Sequence, residues 1–118
     1  MNEALTVNDV LRLVHEEMDK IDEVRLFYEL KKRKLKYVKL QQRILKVVIA
    51  LAKMRLPITS CMVNAVFNYD RVNKVIPSLH NLGDKHLLVL KRVIGRHYEW
   101  IPSPMLNQII NCLDGKKQ

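Results

Sequence analysis

No glycine or proline occurs between Met1 and Arg55, so nothing in that half of the chain obliges a helix to stop once it has begun. The apolar residues there recur at helical steps. Leu11, Val14, Met18 and Ile21 are spaced by 3, 4 and 3 positions, which places them along one face of a helix. Thr6-Val7-Asn8-Asp9 offers a side-chain oxygen to an orphan amide and an acid in the first turn, the marks of a helix start. Beyond Ile21 the seam drifts onto Arg25 and Tyr28, while Val24, Phe27 and Leu30 take over. The pattern predicts helix from Val7 to about Leu35, either as two amphipathic helices or as one bent helix. From Leu40 to Arg55 a buried helical face is expected, because Ile44, Val47, Val48, Leu51 and Ala52 follow the i, i+3, i+4, i+7 spacing. Leu56-Pro57 ends it, since proline cannot donate and biases the preceding residue away from helical angles.

From there on, glycines and prolines punctuate shorter elements. Thr59 and Ser60 are cap candidates for a short helix carrying Met62, Val63, Val66 and Phe67. Asn68-Tyr69-Asp70 reads as a turn into a helix with Val72, Val75, Ile76, Leu79 and Leu82 on one side. Gly83 is expected to close that helix as a left-handed cap. Pro77 lies inside it and either kinks it or loosens its first turn. Leu87 to Ile94 and His97 to Ile101 read as a β-hairpin, joined by Gly95-Arg96 in a type II′ turn, with Tyr98 and Trp100 on one side. Ser103 as cap and Pro104 at the first helical position open a final helix with Met105, Leu106, Ile109, Ile110 and Leu113 on one face, and a basic tail follows. The fold class expected is mainly α with a small β-hairpin.

At 118 residues and 13.9 kDa the chain has room for one domain. Its net charge of +9 is unevenly spread. Met1 to Leu30 holds eight acids and three bases, a net of −5, whereas Lys31 to Gln118 holds eighteen bases and four acids, a net of +14. From Leu30 to Tyr69 there are ten bases and no acid. A field of that sign favours a polyanionic partner. The longest apolar run, Val47 to Ala52, is six residues between two lysines, far short of the ~20 needed to cross a bilayer, and no secretory signal opens the chain. No membrane association is expected, and the expected location is cytoplasmic. Cys61 and Cys112 have no CxxC partner; two buried thiols are the simpler reading, with a disulfide as the alternative. The four histidines lack metal-ligand spacing, and no P-loop, GxGxxG, HExxH or GxSxG occurs. No enzyme activity and no cofactor or metal are expected, and nothing in the chain specifies a small-molecule effector.

The order from Leu40 to about Pro102, helix, extended link, helix, turn, helix and hairpin, resembles the winged helix-turn-helix domain. Ile76-Pro77-Ser78-Leu79-His80-Asn81-Leu82-Gly83-Asp84-Lys85-His86-Leu87-Leu88 is similar to the end of the recognition helix and the entry to the wing in PadR-like and MarR-like regulators. Leu79 and Leu82 match the family's leucine positions, and Leu87-Leu88 its apolar pair. His86 stands where a glycine is usual, and Gly83 comes three residues early. The resemblance implies a sequence-specific regulator that binds double-stranded DNA.

Under that reading Arg71, Asn73, Lys74, Ser78 and Asn81 face the major groove, where Arg and Lys suit guanine and Asn suits adenine. Arg71, Asn73 and Lys74 are the expected base readers; Ser60 and Tyr69 fall to phosphates. The hairpin offers Lys91, Arg92, Arg96 and His97 to the backbone or the minor groove. Solvated faces are the plain alternative for all of these. Residues 1–39 are expected to form an amphipathic extension, 40–102 the winged core and 103–118 a terminal helix and tail. Flanking helices in the resembling regulators dimerise, which implies a homodimer held by Leu11, Val14, Met18 and Ile21 with Leu106, Ile109, Ile110 and Leu113. The intramolecular alternative folds the first helix over its own core. The basic run Lys31 to Lys46 either tracks phosphates, stays solvated or meets the acidic Glu16 to Glu29 segment of a second subunit. A protein-interaction adaptor and a non-specific nucleic-acid coat are the competing functions.

Overall fold

Thr6 starts the first helix by reciprocal capping: its hydroxyl accepts from the Asp9 amide at 3.1 Å, and the Asp9 carboxylate accepts from the Thr6 amide at 3.2 Å. In the computed structural model the described residues are 6–34, 39–67, 75–85 and 88–114, the side chains of 39–42, 78, 84 and 85 excepted. Helix α1 (Val7–Asp19) gives way to α2 (Glu23–Lys32), so the expected stretch is two helices. Asp22 makes the break by accepting from the Arg25 amide at 3.1 Å. Ile21 and Leu26, both buried, occupy the two positions of a hydrophobic staple around that cap.

Helix α3 (Lys39–Lys53) is the central element. Ile44, Leu45 and Val47 to Leu51 are all wholly buried, because α1 covers one side while α4 (Ser60–Phe67) and α5 (Ile76–His80) cover others. It ends ahead of the proline. Arg55 takes a left-handed φ of +59°, its amide donates to Ala52 O at 3.1 Å, and the Leu56 amide donates to Leu51 O at 2.9 Å. That pair of bonds is a Schellman cap with arginine where glycine is usual.

Pro57 is followed by Ile58, which pairs as an isolated antiparallel bridge with Trp100. Thr59 then caps α4, its hydroxyl accepting from the Met62 amide at 3.1 Å. Pro77 is the second residue of α5, where its missing N–H leaves no helical bond unmade. A π-helical turn, Asn81–Lys85, follows. Gly83 lies inside this turn, and its φ is not positive, so it does not act as the left-handed cap that the sequence suggests. Its role is close approach: a β-carbon there would sit 3.2 Å from the Val89 carbonyl.

Strands β1 (Val89–Ile94) and β2 (His97–Pro102) form the antiparallel hairpin in the expected register, Ile94 opposite His97 and Arg92 opposite Glu99. Gly95 alone of the two turn residues has positive φ, +59°, as a type II′ turn requires. Helix α6 (Pro104–Leu113) starts on Ser103, whose hydroxyl accepts from the Leu106 amide at 3.2 Å.

One core unites these pieces. Val14, Ile21, Leu26 and Leu30 from the first two helices join Leu106 and Ile109 of α6 and the residues of α3. His15 Nε2 donates to the Val66 carbonyl at 2.9 Å, tying α1 to α4. The first helix therefore lies over its own core, and Val14, Ile21, Leu106, Ile109 and Ile110, each 9% exposed or less, are spent inside the chain. Leu11, Met18 and Leu113 pack half-buried against the same core. Of the residues expected to dimerise, only Leu11, Met18 and Leu113 keep surface for a second copy. Among the described residues no helix is long and apolar enough to cross a membrane.

Candidate nucleic-acid interface

The bridge between Ile58 and Trp100 brings the start of α4 against the hairpin, and the space between them is a groove of about 450 Å³. Thr59, Ser60 and Cys61 form one wall, Ile76 and His80 of α5 the floor, and Arg96, His97, Tyr98 and Trp100 the other wall. Three residues expected to bind DNA, Ser60, Arg96 and His97, thus meet in one place. The first amides of a helix have no intrahelical acceptor, so those of Ser60 and Cys61 add donors there. Among the described residues no acid lines the groove.

Trp100 organises the aromatic wall. It is 3% exposed and meets His80 edge-on at 5.7 Å between ring centroids and Tyr98 at 6.5 Å. Direct pairing puts Val89, Lys91 and Val93 on the face of the hairpin that carries Tyr98 and Trp100. Lys91 lies over the Tyr98 ring, its Nζ 4.7 Å from the centroid. Arg92 points to the opposite face and pairs with Glu99 at 3.3 Å. Asn81 is exposed in the π-helical turn. Tyr69, Arg71, Asn73 and Lys74 lie outside the described residues, as does the side chain of Ser78.

Charge is partly neutralised within the chain elsewhere, and this sharpens the groove. Lys46 donates to Glu23 at 2.5 Å, and Lys53 donates to Asp114 at 2.7 Å with Glu17 at 3.8 Å. The acidic residues of α1 and α2 thus meet the basic run of α3 in the same molecule. Hydrogen bonding from Lys46 holds the Glu23 carboxyl below its ordinary value. Among the described residues no carboxylate pairs with Arg96 or His97.

Thr59, Cys61, Ile76, His80, Tyr98 and Trp100 were not among the expected site residues. The alternation of Tyr98 and Trp100 marks their shared face, but no sequence signal connects them with Thr59 or His80. Cys61 and Cys112 are both free thiols; Cys61 is exposed at the groove and Cys112 is half-buried, so only one sits partly in the interior. Among the described residues no three His, Cys, Asp or Glu side chains are grouped to hold a metal ion. Compared with protein-family models, with curated proteins and with solved structures, the chain matches none.

Proposed function

We propose that the protein is a double-stranded-DNA-binding regulator of the winged helix-turn-helix type, cytoplasmic and acting as a pair of copies on a site with twofold symmetry. The observation that carries the reading is the groove in which Ser60 at the start of α4 meets Arg96 and His97 of the hairpin. Helix N-termini and arginine side chains are the usual phosphate donors. The run of helix, bridging residue, helix, helix and hairpin from α3 to β2 supports the same reading. Phosphates contact Ser60, Arg96 and His97, with Lys91 at the side, while Arg71, Asn73 and Lys74 read bases ahead of α5.

The test is electrophoretic mobility shift with random and self-promoter duplexes over a salt series. Binding at low salt that prefers one duplex supports the proposal; no duplex binding at low salt overturns it. A specificity ratio near one would leave only a coating role. Arg71→Ala and Lys74→Ala are expected to lose discrimination between sites.

A second reading rests on the hairpin itself. Val93 and Tyr98 on one face are 64% and 49% exposed, and Leu90 and Ile94 on the other 45% and 46%; exposed apolar side chains of this kind suit a protein partner. An adaptor of that kind would bind no duplex and would lose its partner on Val93→Glu.

A further inference from the structure

We propose that a second copy of this chain docks on α2, through an antiparallel pairing of that helix with itself. The inference rests on the proposed function for its pair of copies and adds where those copies meet. Val24, Phe27 and Tyr28 lie at i, i+3 and i+4 on α2 and are 81%, 57% and 59% exposed. With Lys31 they make a stripe on the side opposite the buried Leu26, Glu29 and Leu30. A short helix whose inner face is already satisfied has no intramolecular need of these residues. Monomeric surfaces do not ordinarily gather three large apolar side chains in one line.

The charges on α2 say what covers the stripe. Asp22 and Glu23 stand at its start and Lys31 and Lys32 at its end, so the helix is complementary to itself only when reversed. Twofold pairing about the midpoint between Phe27 and Tyr28 sets Val24 against the aliphatic stem of Lys31 in the other copy. It also brings the Lys31 ammonium beside the other copy's Glu23, whose side chain is 73% exposed despite its bond to Lys46. A parallel pairing would set acid on acid and base on base. A bilayer or a polyanion would be repelled by the acidic end.

A groove of about 350 Å³ runs along the stripe between α2 and α3, lined by Val24, Leu26, Phe27 and Leu30 with Arg43 and Lys46 at its rim. It can receive an aromatic ring, and the Phe27 of a second copy approaches on that same flank. A pairing through one ten-residue helix is small beside a permanent dimer interface, and a weak association on the order of 10 μM is the range to be tested.

Sedimentation velocity of the full chain across a concentration series tests this, with Phe27→Glu and Val24→Glu as variants. The wild type is expected to shift from monomer to dimer with rising concentration, and both variants to stay monomeric with unchanged circular dichroism and melting temperature. Lys31→Glu is expected to weaken the dimer, and the double variant Glu23→Lys/Lys31→Glu to regain it relative to Lys31→Glu alone. A wild type that remains monomeric well above that range overturns the proposal, and so does a dimer that folded Phe27→Glu leaves intact. Duplex binding is scored separately for wild type and Phe27→Glu, so that loss of the α2 pairing and loss of DNA binding are read as different results.

Discussion

The backbone amide of Trp100 donates to the carbonyl of Ile58 at 2.8 Å, joining the residue before the α4 cap to the middle of the second strand. This bond holds the start of α4 against the hairpin that carries Arg96. The Trp100 ring is part of the same groove lining. Trp100→Ala is expected to cost about 3–5 kcal/mol, as for other buried aromatic truncations, and Trp100→Phe distinctly less. Urea denaturation followed by circular dichroism checks the order. Near-equal stability of Trp100→Ala and wild type would mean that the hairpin does not pack as described.

Among the described residues Glu29 is the buried charge, 2% exposed. Arg33 donates to its carboxylate at 2.8 Å and to its carbonyl at 3.1 Å. The bond from Arg33 lowers the carboxyl's pKa, against the opposing effect of burial, and a bond from the Cys112 thiol adds to the lowering. The folded-state value is therefore below the unfolded one. Stability from the pair is whole at neutral pH, falls as pH drops through the ordinary glutamate value of 4.5, and is gone below the lowered folded value. Glu29→Gln, which keeps the shape, should cost about 1 kcal/mol at pH 7 and flatten the stability profile in acid. Arg33→Met should cost more, about 2–3 kcal/mol, since it strands the carboxylate. Denaturation curves of both variants from pH 7 to pH 3 decide the matter; a Glu29→Gln profile parallel to wild type would contradict it.

Much of this fold was legible because its signals are local. Thr6, Thr59 and Ser103 each cap the helix they precede, Gly95 takes the positive φ its turn needs, and the hairpin register follows from that turn. What sequence could not supply was destination. The seam of Leu11, Val14, Met18 and Ile21 shows that α1 has an apolar face; periodicity is the same whether that face meets the chain's own α3 or a second copy. The acidic and basic segments posed the same ambiguity, and for Lys46 the bond to Glu23 answers it within one molecule. Gly83 was misjudged because a close backbone approach and a left-handed cap both call for glycine. The aromatic wall of the groove depends on a contact between Ile58 and Trp100 that no short-range pattern encodes.

Arg55 holds a left-handed φ of +59° at the end of α3, a conformation that costs a residue with a β-carbon on the order of 1 kcal/mol. Arg55→Gly removes that strain but adds freedom to the unfolded chain. The expected net gain is about 0.5 kcal/mol, visible as a melting temperature a few degrees higher. A lower melting temperature would mean that the guanidinium makes a stabilising contact of greater value.

Arg92 and Arg96 lie four residues apart on the hairpin but face different surroundings. Arg96 lines the groove with Ser60 and His97, whereas Arg92 is on the face opposite Trp100 and paired with Glu99 at 3.3 Å. If phosphates occupy the groove, Arg96→Ala removes one phosphate contact and so reduces the magnitude of the salt slope of duplex binding by about 0.9. Its affinity loss should be similar for every duplex, because phosphate contacts carry no sequence information. Arg92→Ala should leave the slope nearly unchanged, since that charge is already offset. Fluorescence anisotropy of a labelled duplex between low and physiological salt measures both slopes. Equal slopes for the two variants would place the phosphate-binding surface elsewhere on the molecule, because only a groove-centred interface distinguishes two arginines so close in sequence.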